Sequence, residues 1–160
     1  MVEIIEKLTS DMLNSAHEVI LDAFGPDKPD IALRFLKFSL EKEKSQVFNL
    51  LDFFILKKDQ EIIGVMGIVS LGYDPQEVGW VCYPGVKKKF QNQGLGSKLL
   101  VHLVRFAKRR GIKRLYTDTS YPPDGIQARS FYTKNGFEPS GEMKDFFIIG
   151  QKTQYFVKYL

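Results

Sequence analysis

Between Val78 and Gly111 the chain runs from a strand, through a loop with two glycines, into a long amphipathic helix, and this unit restricts the available folds more than any other feature. Val78–Val86 is rich in β-branched and aromatic residues, as strands are, and Pro84-Gly85 interrupts it near its end. Leu95, Leu99, Leu103 and Phe106 recur at helical spacing, and Lys108-Arg109-Arg110 followed by Gly111 suits a helix C-terminus. Between strand and helix lies Gln91-Asn92-Gln93-Gly94-Leu95-Gly96-Ser97. Successive backbone N–H groups at a helix N-terminus, with glycines permitting close approach, make an anion site. Lys87, Lys88 and Lys89 add positive potential beside it. Two familiar phosphate loops are excluded. A dinucleotide fingerprint needs glycine where Leu99 stands, and a Walker loop needs a Gly-Lys pair that Ser97 separates here.

The rest of the chain predicts a mixed sheet with helices packed on it. Val2–Glu6 reads as a short strand. Thr9 or Ser10 caps a helix carrying Leu13, Ala16, Ile20 and Phe24 on one face, and Gly25-Pro26 stops it. Asp30 caps a second helix running from Ile31 to Lys44. Phe48–Leu56 and Ile62–Leu71 form a hairpin about the polar turn at residues 57–60. After the long helix come a strand at Leu115–Thr119, a helix at Ile126–Lys134 ended by Asn135-Gly136, and strands at Glu142–Ile148 and Gln154–Leu160. The expected class is α/β (α+β), a single mostly antiparallel sheet of about seven strands flanked by helices. Residues 1–160 form one domain in this reading.

Charge is unevenly spread. Residues 1–80 hold 8 Lys and Arg against 14 Asp and Glu, whereas the second half holds 15 against 5, within a net charge of +4. The second half is therefore expected to meet an anion, and the first half a cation. Cys82 is the single cysteine, so no internal disulfide forms. Met1–Lys7 is charged and lacks the apolar run of a signal peptide, and Ile62–Leu71 is too short to span a bilayer. These features predict a cytoplasmic protein with no membrane partner. No metal-ligand spacing occurs, and no nucleic-acid motif accompanies the basic residues.

Gln91-x-x-Gly94-x-Gly96 resembles the Q/R-x-x-G-x-G/A signature of the GNAT N-acetyltransferase superfamily. Downstream, Ala128-Arg-Ser-Phe131-Tyr132-Thr-Lys-Asn-Gly136-Phe137 is similar to that family's A-x-x-x-Y-x-x-x-G-F element, at the family's usual separation. The resemblance implies a GNAT-like fold and acetyl-CoA as co-substrate. The pyrophosphate would rest on Gln91, Asn92, Gln93, Gly94, Leu95, Gly96 and Ser97, with Lys87–Lys89 or Arg129 as candidate phosphate partners, and Val86 would pair with pantetheine. It further implies that the fourth and fifth strands splay around a bulge, for which Pro84-Gly85 is a sensible place. Tyr132 matches the family's tyrosine that protonates or hydrogen-bonds the CoA sulfur, and the resemblance implies that it is the general acid.

Two positions depart from the family pattern. The amide that usually polarises the acetyl carbonyl falls on Pro84, which has no N–H, leaving Gly85 or Val86 to supply it. Gly125 stands where an asparagine often opens the following helix, with Asp124 as a substitute cap. For the general base, Glu77 is the first candidate and Asp118 the second. The expected activity is acetyl transfer to a primary amine of a small or amino-acid-like acceptor, in a pocket drawing on Phe35, Phe38, Tyr73, Trp80, Phe146 and Phe147. Alternatives are a protein or peptide acceptor, or a non-catalytic acyl-CoA-binding module. A homodimer is compatible with all three.

Overall fold

The computed structural model describes residues 2–25, 29–41, 47–120 and 125–160. Its elements, in order, are β1 (Glu3–Lys7), a 3-10 turn (Ser10–Met12), α1 (Leu13–Phe24), α2 (Pro29–Leu40), β2 (Phe48–Lys58), β3 (Glu61–Leu71) and β4 (Val78–Val86). A second 3-10 turn (Lys88–Phe90), α3 (Leu95–Arg109), β5 (Arg114–Ser120), α4 (Ile126–Lys134), β6 (Glu138–Lys144) and β7 (Lys152–Tyr159) complete the chain. The seven strands form one sheet in the order β1-β2-β3-β4-β5-β7-β6, antiparallel everywhere except between β4 and β5.

The long apolar runs of β2 and β3 have a direct cause: both faces of these strands are covered. Leu51, Phe53, Ile55, Val65 and Val69 pack against Ala16, Val19, Ile20, Ala32 and Leu36 of α1 and α2. Leu50, Phe54, Leu56, Ile63, Met66 and Ile68 pack on the other side with Leu99, Leu100, Leu103 and Ala107 of α3. Among the described residues the one buried carboxylate is Asp52, which is paired with Lys7 of β1 at 2.6 Å. Phe106 is half-buried and meets the Phe54 ring edge-on at 5.0 Å, whereas Phe24, expected inside, is 46% exposed at the end of α1.

Several boundaries differ from the sequence reading. The turn at Ser10–Met12 precedes α1, and Thr9 donates its hydroxyl hydrogen to Asp11 instead of capping the helix. Helix α2 opens at Pro29, so Asp30 stands in its first turn; Lys44, its expected end, lies outside the described residues, as does Asp124. The largest shift is in the last hairpin. The apolar run Phe146–Ile149 is not strand but the exposed tip between β6 and β7. Asp145, in the left-handed region at φ 57, closes the tip by donating its amide to Gln151 and accepting the Gly150 amide on its carboxylate. Strand β6 is an edge strand exposed throughout, so its sequence carries no apolar alternation to read. Among the described residues, no helix is long and apolar enough to cross a membrane.

Where β3 faces β4, a Cβ on Gly67 would lie 2.5 Å from the Phe53 ring and 2.7 Å from the Cys82 sulfur. Both neighbours belong to packed rows, so they cannot simply move aside. Gly67→Ala is expected to destabilise the fold by about 1–3 kcal/mol, read as a lower urea midpoint at unchanged m-value. An unaltered midpoint would remove the packing constraint argued for this position.

Candidate active site

The parallel pairing of β4 and β5 extends over Val78↔Arg114, Gly79↔Leu115 and Trp80↔Tyr116 and then stops. The reason lies in β4. From Cys82↔Gly67 to Val65↔Gly85, β4 passes two residues, Tyr83 and Pro84, against the single Met66 of β3. Tyr83 takes the left-handed region at φ 47, and Pro84 has no N–H to give a neighbouring strand. This bulge bends β4 away and opens a gap between it and the second half of β5. Beyond it the amide of Lys87 donates to the Ile63 carbonyl at 2.9 Å. Strand alternation then turns Gly85 toward β3 and the amide of Val86 to the gap side.

The glycine loop sits at the open end of this gap. Gln91 ties it to β4 by donating its side-chain amide to the Val86 carbonyl at 2.9 Å. Asn92 at φ 61 and Gly94 at φ 76 reverse the chain, and Gly94 is the N-cap of α3. The first helical bond runs from the Lys98 amide to the Gly94 carbonyl, so the amides of Leu95, Gly96 and Ser97 have no acceptor within the helix. No side-chain bond caps this end. Gly96 lets α4 pack closely here, since a Cβ on it would lie 3.1 Å from the Phe131 ring, tighter than ordinary contact. Two of the flanking lysine side chains are engaged elsewhere. Lys87 and Lys89 both reach Glu61, at 2.9 and 3.0 Å, and the Lys88 amide donates to Asp22.

At the closed end, Tyr132 comes from the α4 side. It is 2% exposed, with its ring against Phe131, Phe137 and Phe156. Burial pushes its phenol well above the usual tyrosine range, a bond from the buried Thr117 hydroxyl opposes this, and the Asp118 charge adds to the rise. Two residues further along β5, the Thr119 hydroxyl is buried and has no hydrogen-bond partner among the described residues. On the other face of the gap lie Cys82, Tyr83 and Asp118. Burial pushes the Cys82 thiol far up, and burial together with Cys82 and Asp118 pushes Tyr83 up to about 12.

Thr117 and Thr119 were not singled out in the sequence, although the alternation Thr117-Asp118-Thr119 at a strand end is the signal that marks them. Glu77 is placed differently. It precedes β4 at the end opposite Val86, where its carboxylate pairs with Lys113, whose hydrogen bond and charge hold it below the usual range. The structure does not bring it together with Tyr132 or the loop. His102 lies edge-on to Phe54 in the α3 packing. Among the described residues, no group of His, Cys, Asp or Glu is arranged to hold a metal.

A splayed strand pair with an uncapped helix at its mouth matches a known family. The family model described as Acetyltransferase (GNAT) family matches residues 13–137. The chain belongs to the GNAT acetyltransferase family. It is an N-acetyltransferase that draws its acyl group from acetyl-CoA. A protein from Desulfovibrio desulfuricans assigned to the GNAT family shares the fold at TM-score 0.87 and 17% identity, with 99% of each chain covered. A GNAT acetyltransferase from Elizabethkingia anophelis with acetyl-CoA bound superposes at TM-score 0.73 and 21% identity, covering 99% of this chain and 98% of that one. The ribosomal-protein-S18-alanine N-acetyltransferase from Escherichia coli does so at 0.74 and 17%, covering 99% and 94%. None of the curated proteins matches the sequence significantly. The uncapped amides, the gap-side edge of Val86 and the orphaned Thr119 hydroxyl fit an acyl-CoA arm, which brings phosphates at one end and amides along its length.

The placement of Glu77 gives a direct expectation. Glu77→Gln should leave acetyl-CoA turnover within about threefold of the unsubstituted protein, since screened surface pairs contribute little. A hundredfold loss would return Glu77 to the chemistry.

Proposed function

We propose that this GNAT domain moves the acetyl group of acetyl-CoA to the primary amine of a small, amino-acid-like acceptor by direct attack on the thioester. One observation carries the reading: a single gap has free helix amides at its mouth and a buried phenol at its closed end. In this reading the pyrophosphate lies on the amides of Gln91–Ser97, and Val86 pairs with the pantetheine arm. The lone pair of the neutral amine forms the C–N bond, and the C–S bond breaks as sulfur takes the Tyr132 proton. The phenolate regains its proton from the newly acylated nitrogen. Two features of Tyr132 support the acid role. Burial keeps it protonated at neutral pH, and the Thr117 hydroxyl on its oxygen leaves the phenol hydrogen for sulfur. With Pro84 lacking an N–H and Gly85 turned to β3, the Val86 amide is the β4 donor left for the acetyl carbonyl.

A protein or peptide acceptor is the second reading, favoured by the exposed tip Phe146–Ile149, where Ile149 is 90% accessible. A panel of amines, amino acids, polyamines and short peptides, followed by thiol release, separates the two. Tyr132→Phe should lower kcat by about a hundredfold while leaving the acetyl-CoA Kd unchanged. Gly94→Trp should abolish acetyl-CoA binding, since Gly94 holds a positive φ over open space where the phosphates would lie. Binding without turnover of any acceptor would favour a non-catalytic acyl-CoA module. No binding at all would refute the reading.

Thr119→Val gives a test of opposite signs. Removing an unpartnered buried hydroxyl should stabilise the free protein by about 1 kcal/mol, or raise its Tm by about 2–4 °C. It should also weaken acetyl-CoA binding by about tenfold, the worth of one hydrogen bond in the complex. A lower Tm, or unchanged binding, would remove Thr119 from the acyl-CoA site.

A further inference from the structure

An open cleft of about 800 Å³ lies at the end of the sheet opposite the glycine loop, walled by β2, the end of β3, the turn after it and the end of α3. The separation follows from register. Val86, beside the loop, pairs with Gly64 near the start of β3, whereas Ser70, in the cleft wall, stands near the end of that strand. Helix α3 has 15 residues, so its two ends lie about 22 Å apart, with the loop at one and the cleft at the other.

Strand alternation places Gly64, Met66, Ile68 and Ser70 of β3 on the face toward α3. Met66 and Ile68 pack there with Leu99 and Leu103, and Ser70 ends this apolar row with a hydroxyl. Ser70 is 2% exposed, and its Oγ has no hydrogen-bond partner among the described residues. A buried hydroxyl without a partner forfeits its bonds to water, so its presence needs a cause. Arg109 and Arg110, the last residue and the C-cap of α3, line the same cleft. The Arg110 guanidinium lies 5.8 Å over the Phe106 ring. Both acids of the β3–β4 connection are engaged. Asp74 accepts the Leu71 amide at 2.8 Å, and Glu77 pairs with Lys113.

We infer that this cleft binds a small organic phosphate monoester through Arg109, Arg110 and the Ser70 hydroxyl. Such a group is close to a dianion at neutral pH, which balances two guanidinium groups. Consecutive helix positions point about 100° apart, so the two arginines reach an anion from different sides, and Ser70 donates from the sheet. Three donor directions suit a tetrahedral phosphate, whereas a planar carboxylate is satisfied by one guanidinium fork. Leu50 and Ile112 give the cleft an apolar wall for the carbon part of the ligand.

Amide NMR of the full chain at pH 7.5, titrated with phenyl phosphate, tests this site separately from the glycine loop. The Ser70 amide and the Arg109 and Arg110 side-chain Nε–H signals should shift together with a single Kd. Ser70→Ala should raise that Kd by about tenfold, and Arg109→Gln combined with Arg110→Gln by about a hundredfold. Succinate should bind about tenfold more weakly than phenyl phosphate. Ser70→Ala should not lower the Tm, and neither variant should change the acetyl-CoA Kd. Shifts confined to the arginine side chains and unaffected by Ser70→Ala would mean surface ion pairing only and overturn the inference. So would an absence of shifts at these signals, or succinate binding as tightly as phenyl phosphate. A lower Tm for Ser70→Ala would also overturn it, by showing the hydroxyl to be bonded in the free protein.

Discussion

The two-against-one bulge at Tyr83-Pro84 is the constraint on which the rest of this molecule depends. Parallel strands pair along their length unless something denies them donors or direction, and here both are lost within two residues. Without the bulge, β4 and β5 would continue past Trp80↔Tyr116, and the amide edge of Val86 would be spent inside the sheet. Because pairing stops, one side of β4 is left to pair with something that is not protein. The same opening joins the two faces of the sheet. A phenol on the α4 side and a carboxylate on the other therefore act on one another although their side chains point opposite ways.

Part of the charge asymmetry of the sequence is resolved inside the fold. Glu3 pairs with Lys98, Glu61 with Lys87 and Lys89, and Glu77 with Lys113, each an acid of the first half meeting a base of the second. These are exposed or half-exposed pairs, and each contributes little to stability. Their consequence is positional. They draw the lysines beside the loop toward the start of β3, so recognition of an anion falls to backbone amides at the start of α3. Amides on a fixed loop hold their direction without the rotamer freedom that long lysine side chains must give up.

How much could be read beforehand differs from element to element. The doubly covered strands β2 and β3 were legible because burial on both faces leaves unbroken apolar runs, and α3 because one buried stripe and a basic end mark it. The last hairpin was misread for the converse reason. Edge strand β6 is exposed on both faces and carries no apolar signal, while the exposed turn Phe146–Ile149 does, so hydrophobicity pointed to the wrong segment. At the site, the loop was read from its glycines ahead of a helix, and Tyr132 was named through the family resemblance. Glu77 was selected as a carboxylate opening the right strand, but nothing local distinguishes the two ends of a strand. Which end faces the gap depends on where pairing with β5 stops.

The sequence by itself determined the family, the loop that presents amides at a helix start, the phenol carried by α4 and the residue pair able to interrupt β4. These depend on local spacing and on backbone chemistry, such as a proline without an N–H and glycines where a side chain would collide. Only the tertiary structure decided that Lys87 and Lys89 are held by Glu61, that Glu77 stands apart, that Thr119 is buried without a partner among the described residues and that Asp118 stands opposite Tyr155 of β7. Each of those is a relation between residues distant in the chain. Such relations follow from strand order and register, and a shift of one position along β5 would exchange Asp118 for a threonine on that face.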